Sequence, residues 1–507
     1  MKNKILKLAF SAFILIGASA SLTSCGNSVA NAGEAFEMKT LDDLRANSTE
    51  DKPIQVSFWH SFGHNIASQL EPLIESFQEE MAKQKIYIKV DAKATGGGYD
   101  GLRSRVNMGT KSNSIPTMVL GYPDHFADYI DSNILLPLDS YVNSTDTNIG
   151  LTGDYAWDDF VESYRNENML DATGDGNKNI VGIPFNKSTE VMYYNATAVD
   201  PILTAKGYIN STTGKWDNPT WDQVWDVSQE LINSVKSSTG LKWTTTGDYT
   251  KSVDYPTFID SEANFFITTA RQWCSSNEEA NKVYTAQDGN GGKVTFKNDI
   301  AKAAQNYFVE KANAKLWNIP KKVNQAYGSN LLQNGTSFIS IGSTAGVNNN
   351  DSARYELKCT SIPQREGGIK AAIQQGTNCA ILSKNSNNLT RLSAWLLIRY
   401  LTSTENTTKF SMKTGYLPVR NSAKTSKVFT DFLAAEEDPF DGNAAKCLNA
   451  AYTEINYFYT DIAFTGSSIV RDKVDSMIQT LYCQNKTVDE VMTAAYNEIK
   501  TFGIKCE

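Results

Sequence analysis

A chain of 507 residues, 41% hydrophobic and 21% charged, is too long for one small core and requires one large or two medium lobes. Its formal net charge of -8 excludes an electrostatic footprint for nucleic acid or for an anionic membrane surface. The 23 Tyr, 22 Phe and 9 Trp fill cores, and Tyr and Trp also suit the wall of a groove for a polar ligand.

Residues 1–24 read as an export signal. Lys2, Lys4 and Lys7 precede an apolar run from Leu8 to Ile16, and small residues follow from Gly17 to Ala20. The run is short for a spanning helix, which needs about 20 apolar residues. Leu22-Thr23-Ser24-Cys25-Gly26 resembles the lipobox of bacterial lipoproteins. That resemblance implies diacylglycerol on Cys25 and attachment to the extracytoplasmic face of the cell membrane. Residues 25–52 are polar and lack an apolar period, so they are expected to form a flexible linker with a short helix at Leu41 to Ala46.

The fold is expected to begin near Pro53. Ile54, Val56 and Phe58 alternate as in a strand. Ala67, Leu70, Leu73, Ile74, Phe77 and Met81 recur at helical spacing, and Ile86, Ile88 and Val90 alternate again. Thr117 to Leu120 is a further strand candidate. Strand, helix, strand predicts a parallel βαβ unit and an α/β lobe. The Asp171–Asn179 stretch has the acidic spacing of a calcium loop with Gly176 at the turn. Gly182 stands where the closing carboxylate belongs, so a surface turn is the better reading. Asp288 to Gly292 predicts a hairpin turn. Leu392, Trp395, Leu396, Ile398 and Leu401 predict a buried helix, and Val488, Val491, Met492, Ala495, Ile499 and Phe502 an amphipathic one.

Catalytic motifs are lacking. There is no nucleophile elbow, no zinc-protease pair and no phosphate-cradling loop. His60 and His64 are four apart, but His60 ends a strand-like run, and His125 stands alone. Cys274, Cys359, Cys379, Cys447, Cys483 and Cys506 show no paired metal-site spacing, and as exported thiols some could form disulfides. No cofactor, no metal and no enzymatic activity are expected.

Several segments in order resemble the extracellular solute-binding proteins of the maltose and glycerol-3-phosphate type. They are Val56 to Ser61, Gly98-Tyr99-Asp100, Ile183 to Asn195, Ile341 to Gly346, Thr414 to Arg420 and Lys486 to Met492. The resemblance implies a two-lobed α/β fold with hinge crossovers and a ligand cleft. It also implies lobe closure on binding and delivery of the ligand to the permease of an ABC importer by a monomeric receptor. The lobes are expected to comprise residues 53–182 with 382–430, and 183–381 with 431–507. A surface carbohydrate-active enzyme or an adhesin on the same fold is the alternative of another class.

Resemblance also nominates the ligand contacts. Tyr99 follows a run of glycines that lets backbone approach a ligand. Ser188 and Glu190 share one face of the crossover strand, and Glu190 is equally readable as an interlobe salt bridge. Asp124, Ser343, Gly376 and Tyr416 match family contact positions. Asp260, Glu262 and Phe266 lie where family members place polar and aromatic contacts. Trp59 is either the cleft floor or a packed interior residue. The glycerophosphodiester branch carries an arginine near Phe464 to Ser468, whereas this chain has no Lys or Arg between Lys446 and Arg471. Arg420 and Lys187 could compensate. A phosphate wants a guanidinium, so a neutral sugar or oligosaccharide is expected over a glycerophosphodiester.

Overall fold

The computed structural model describes residues 34–237, 253–437 and 442–507. Two five-stranded sheets organise them into two lobes. The first runs Ile88–Ala94, Ile54–His60, Met118–Gly121, Gln375–Ile381, Ile183–Ser188. Its first three strands are parallel, because the helix His64–Lys83 carries the chain back between the first two. That helix buries Leu70, Ile74 and Phe77, the stripe read from the sequence. Within Ile54–His60, Val56 and Phe58 are fully buried, as alternation predicts.

The second sheet runs Trp317–Asn318, Thr257–Ile259, Ile339–Ser343, Glu190–Asn195, Leu357–Ser361. Only Thr189 separates Ile183–Ser188 in the first sheet from Glu190–Asn195 in the second. Every residue of both strands is buried, because the segment threads from one lobe's interior into the other's. The chain returns through Ala372–Ile373 into Gln375–Ile381.

Each lobe has its own hydrophobic core. One gathers Val56, Phe77, Leu120, Phe126, Trp395 and Leu397; the other gathers Trp221, Phe265, Phe308, Trp317, Val470 and Ile478. A smaller cluster joins Tyr193, Leu357, Leu417, Phe429, Phe432 and Leu448. The expected boundary at residue 430 therefore falls inside a packed unit: Phe429 and Phe432 cover the helix Gly442–Glu454.

Four local expectations change or sharpen. Residues 34–52 are docked, not a free spacer. The helix Leu41–Asn47 has a Thr40 capping box and buries Leu41 and Leu44, while Arg391 Nη1 donates to the Glu34 carbonyl at 2.7 Å. Phe502 leaves the C-terminal apolar stripe, because the helix Val488–Thr501 ends before it and the ring is 52% exposed. In the Asp171–Asn179 turn, both Asp171 carboxylate oxygens accept backbone N–H groups, from Gly174 at 2.7 Å and Gly176 at 2.9 Å. The six described cysteines are all thiols. The hairpin Thr285–Asp288 with Gly291–Val294 forms where the glycines placed it. Residues 1–33, with the leader and Cys25, lie outside the described residues.

Candidate functional site: an interlobe cleft

The lobes face each other across the crossover strands. From the first lobe come Tyr99 and Asp100, at the start of the helix Gly98–Ser112, and Tyr122 and Asp124, where the helix Pro123–Asp131 begins. From the second come Asn264, on the helix Glu262–Gln272, and Arg471, Asp472 and Asp475, on the helix Ser467–Cys483. These groups enclose a recess of about 380 Å³. An inner chamber of about 80 Å³ adjoins it and adds Tyr284, Gln374, Gly376 and Asp461. Tyr122, Asp124, Gln375 and Arg471 border both.

Polar groups cross between the lobes here. Arg103 Nη2 donates to Asp472 at 2.6 Å, and the Ser468 hydroxyl donates to Asp128 at 2.8 Å. Beside the hinge, Lys187 donates to Glu167 and, at 2.9 Å, to the Gly376 carbonyl. Glu454 accepts from Thr189 at 3.2 Å and from the Ile362 N–H at 3.0 Å. Burial lowers the Lys187 pKa, and Glu167 works against that shift.

Carboxylates from both lobes enter the lining, and Glu190 lies buried behind it. Glu190 is 1% exposed; its Oε1 accepts from Asn264 at 2.8 Å, and its Oε2 has no hydrogen-bond partner among the described residues. Burial pushes its carboxyl up to about 8. Burial likewise raises Asp461, with Arg471 opposing, and Asp475. Burial disfavours the Arg471 charge, yet the nearby Tyr284 and Asp461 raise its pKa above the usual range. Its Nη1 lies 3.7 Å from Asp461, and its Nη2 donates to Asn264 Oδ1. The Tyr284 hydroxyl and Gln374 Oε1, both in the chamber wall, also lack partners.

Of the residues nominated from sequence, Tyr99, Asp124 and Gly376 line the cleft. Tyr416 stands behind Tyr99, with hydroxyls 3.5 Å apart, and stacks on Phe410. Glu190 reaches the cleft through Asn264, which also donates to Gln375 at 3.0 Å. It forms no salt bridge, the other reading of its position, among the described residues. Gly376 has φ +96°, and a Cβ there would lie 2.0 Å from the Asn186 carbonyl oxygen, so only glycine fits. Ser188 pairs with Gln375 in the first sheet. Ser343 caps a turn by accepting from the Ala345 N–H at 3.3 Å. Glu262 sits beside Asp475, which raises its pKa after burial does. Asp260 accepts from the Gly328 N–H at 2.7 Å and is pushed by burial up to about 7.

Four nominations move away. Phe266 is fully buried in the second lobe, edge-on to Phe296, because two residues of helix turn it about 200° from Asn264. Trp59 packs against the first lobe's core. Arg420, held by the Thr402 and Ala156 carbonyls, is too far committed to reach a ligand. Phe464, read as an apolar ligand face, packs on Gly292 instead. The guanidinium sought upstream is present after all, as Arg471, one turn into its helix. Asn264, Tyr122, Tyr284, Asp461 and Gln374 were not nominated. Asn264 alone left a trace, as the one amide in the nominated Asp260 to Phe266 stretch.

A family model for bacterial extracellular solute-binding proteins matches residues 73–436, more than half of the chain. The chain belongs to that family. Solved solute-receptor structures share its fold at low identity. UgpB from Mycobacterium tuberculosis, in complex with glycerophosphocholine, is 18% identical with a TM-score of 0.65, covering 88% of this chain and 98% of that one. Maltose-bound MalE3 from T. maritima is 14% identical with a TM-score of 0.65, covering 89% and 100%. The GacH receptor of Streptomyces glaucescens, solved with and without acarbose, is 14% identical with a TM-score of 0.63, covering 89% and 97%. No curated protein matches the chain in sequence. Tyr99 and Asp124 on one side and Asn264 and Arg471 on the other border the same recess.

Proposed function

We propose that this solute-binding protein clamps a sugar or short oligosaccharide between its lobes and presents the closed form to the permease of an ABC importer. The observation that carries the reading is the set of buried polar atoms left open at the cleft among the described residues: Tyr284 OH, Gln374 Oε1 and Gln375 Nε2. Each unmade buried hydrogen bond costs about 1–3 kcal/mol, and a ligand rich in hydroxyls supplies the missing partners. Tyr99 and Tyr122, packed edge to face at 5.2 Å between ring centres, offer flat surfaces to the apolar faces of sugar rings. The ligands of GacH and MalE3, acarbose and maltose, support this class.

The glycerophosphocholine bound by UgpB keeps a phosphodiester in view. Arg471 could meet a phosphate, but Asp461 and Asn264 already engage it, and Asp124 and Asp475 share its surroundings. Those carboxylates repel a phosphodiester, so the sugar reading stands first.

Closure follows from differential affinity. A ligand touching both lobes favours the closed state, which Arg103–Asp472 and Asp128–Ser468 also hold. Binding without chemical change is the expected cycle. The receptor is proposed to be tethered through a lipid on Cys25. Glu34 is fixed to the first lobe by Arg391, so that lobe stays within about 30 Å of the anchor, the full reach of the intervening chain. Palmitate labelling in cells, lost in Cys25→Ser, tests the anchor.

A thermal-shift panel of mono- and oligosaccharides and glycerophosphodiesters tests the ligand class, since a ligand that binds only the folded chain raises its Tm. Saccharides are expected to shift the melt and to be recovered intact. A shift by phosphodiesters alone would overturn the sugar assignment, and recovery of cleaved product would overturn the binding role.

A further inference from the structure

Acid outweighs base in the cleft. Asp124 and Asp461, one from each lobe, border the same chamber as Arg471. The outer recess adds Asp100, Asp472 and Asp475. Arg103 balances Asp472 at 2.6 Å. Arg471 is the one guanidinium in the chamber lining and faces Asp124, Asp461 and Asp475. From behind the lining Arg271 also acts on Asp461 and Lys321 on Asp475, while Asp100 lies 3.7 Å from His125 and within the fields of Arg103 and Arg471.

An independent feature points to the same chemistry. Gln374, 5% exposed, presents an unpartnered carbonyl oxygen in the chamber. Its orientation is fixed, because its Nε2 donates to Glu167 at 2.5 Å, and a flipped amide would set oxygen against carboxylate. The chamber therefore offers acceptors in the carboxylates of Asp124, Asp461 and the Lys187-paired Glu167 and in the Gln374 amide oxygen, beside one open donor, Gln375 Nε2, which suits a sugar hydroxyl. The group that matches the acceptors is a donor without acceptor capacity and with positive charge. A protonated amine has three N–H donors and no acceptor. Tyr284, 4% exposed with an unpartnered hydroxyl, completes the wall.

We infer that the chamber between Asp124 and Asp461 selects a saccharide carrying a protonated amine. This rests on the sugar-receptor reading and narrows it. A neutral sugar leaves the excess carboxylates uncompensated on closure, whereas an ammonium makes charge-assisted bonds to both lobes at once and so draws them together.

Calorimetric titration of the full mature chain at pH 7 separates the possibilities. The probes are three matched sets of oligosaccharides: neutral, amine-bearing and uronic-acid-bearing, with maltose, cellulose and chitosan oligomers among them. At least one amine-bearing member is expected to bind tenfold or more tightly than its neutral counterpart, and to weaken as salt is raised. Asp461→Asn is expected to erase most of that preference. Asp124→Asn, on the opposite lobe, repeats the test should the first variant misfold. Equal binding of neutral and amine-bearing partners, or tighter binding of uronic acids, overturns the inference and leaves the sugar reading standing. Failure of every saccharide overturns both.

Discussion

Glu190→Gln isolates the buried carboxyl beside the hinge. Glu190 is 1% exposed, with one oxygen bonded to Asn264 and the other open. Burial raises its pKa from 4.5 to about 8, so the folded chain holds a proton that the unfolded chain releases. The contribution to stability is complete below pH 4.5 and is lost as pH rises through about 8. At about 1.36 kcal/mol per unit, the loss is roughly 3 kcal/mol between pH 4.5 and 7, and at most roughly 5 kcal/mol above pH 8. Glutamine keeps the shape and carries no titrating proton. Denaturant unfolding of both proteins at pH 4.5, 6, 7 and 8.5 reads the difference, in which other titrating groups cancel. The variant is expected to gain on the wild type by roughly 3 kcal/mol from pH 4.5 to 7 and to level off above pH 8. Parallel stability curves would refute a buried, proton-holding Glu190.

Gly376→Ala forces a Cβ to within 2.0 Å of the Asn186 oxygen at a φ of +96°; a loss of at least about 2 kcal/mol is expected in denaturant unfolding. Asp472→Asn weakens the half-exposed bridge to Arg103. An effect of about 0.5–1 kcal/mol, or roughly two- to fivefold toward the open form, should appear in single-molecule distance measurements between the lobes. Tyr284→Phe removes one open donor from the chamber wall. It should weaken ligand binding by about 0.5–1.5 kcal/mol in calorimetry while Tm stays unchanged. Asn264→Ala should weaken binding at least as much, whereas Phe266→Leu, in the core, should lower Tm and spare affinity.

Periodicity made the strands at Ile54 and Ile88 and the helix at His64 readable, because their alternating and 3.6-residue patterns report local burial directly. The crossover at Ile183–Asn195 was legible through its resemblance to the family's interlobe strand, not through its composition, since it carries Lys187 and Glu190. Cleft residues were harder. Tyr99 announced itself through the glycines before it, whereas Gly376 was marked by family resemblance alone, and the conformation that requires glycine there shows only in the structure. Arg471, Asp461 and Gln374 carry no local signature, since a charged residue on a helix or loop looks the same in sequence whether it meets water or a facing lobe. Arg471 lies about one helical turn beyond the Phe464 to Ser468 stretch that the resemblance marks. Phe266 misled for the opposite reason: an aromatic beside cleft residues in sequence faces the core once helical rotation is counted.

Small-angle scattering of the mature chain, with and without a saturating ligand from the saccharide panel, tests the clamping claim most directly. The radius of gyration should fall on binding, with one ligand per chain, and the same fall should require more ligand in Asn264→Ala and Asp124→Ala alike. A ligand that binds tightly yet leaves the scattering curve unchanged, or that ignores both substitutions, contradicts capture between the lobes.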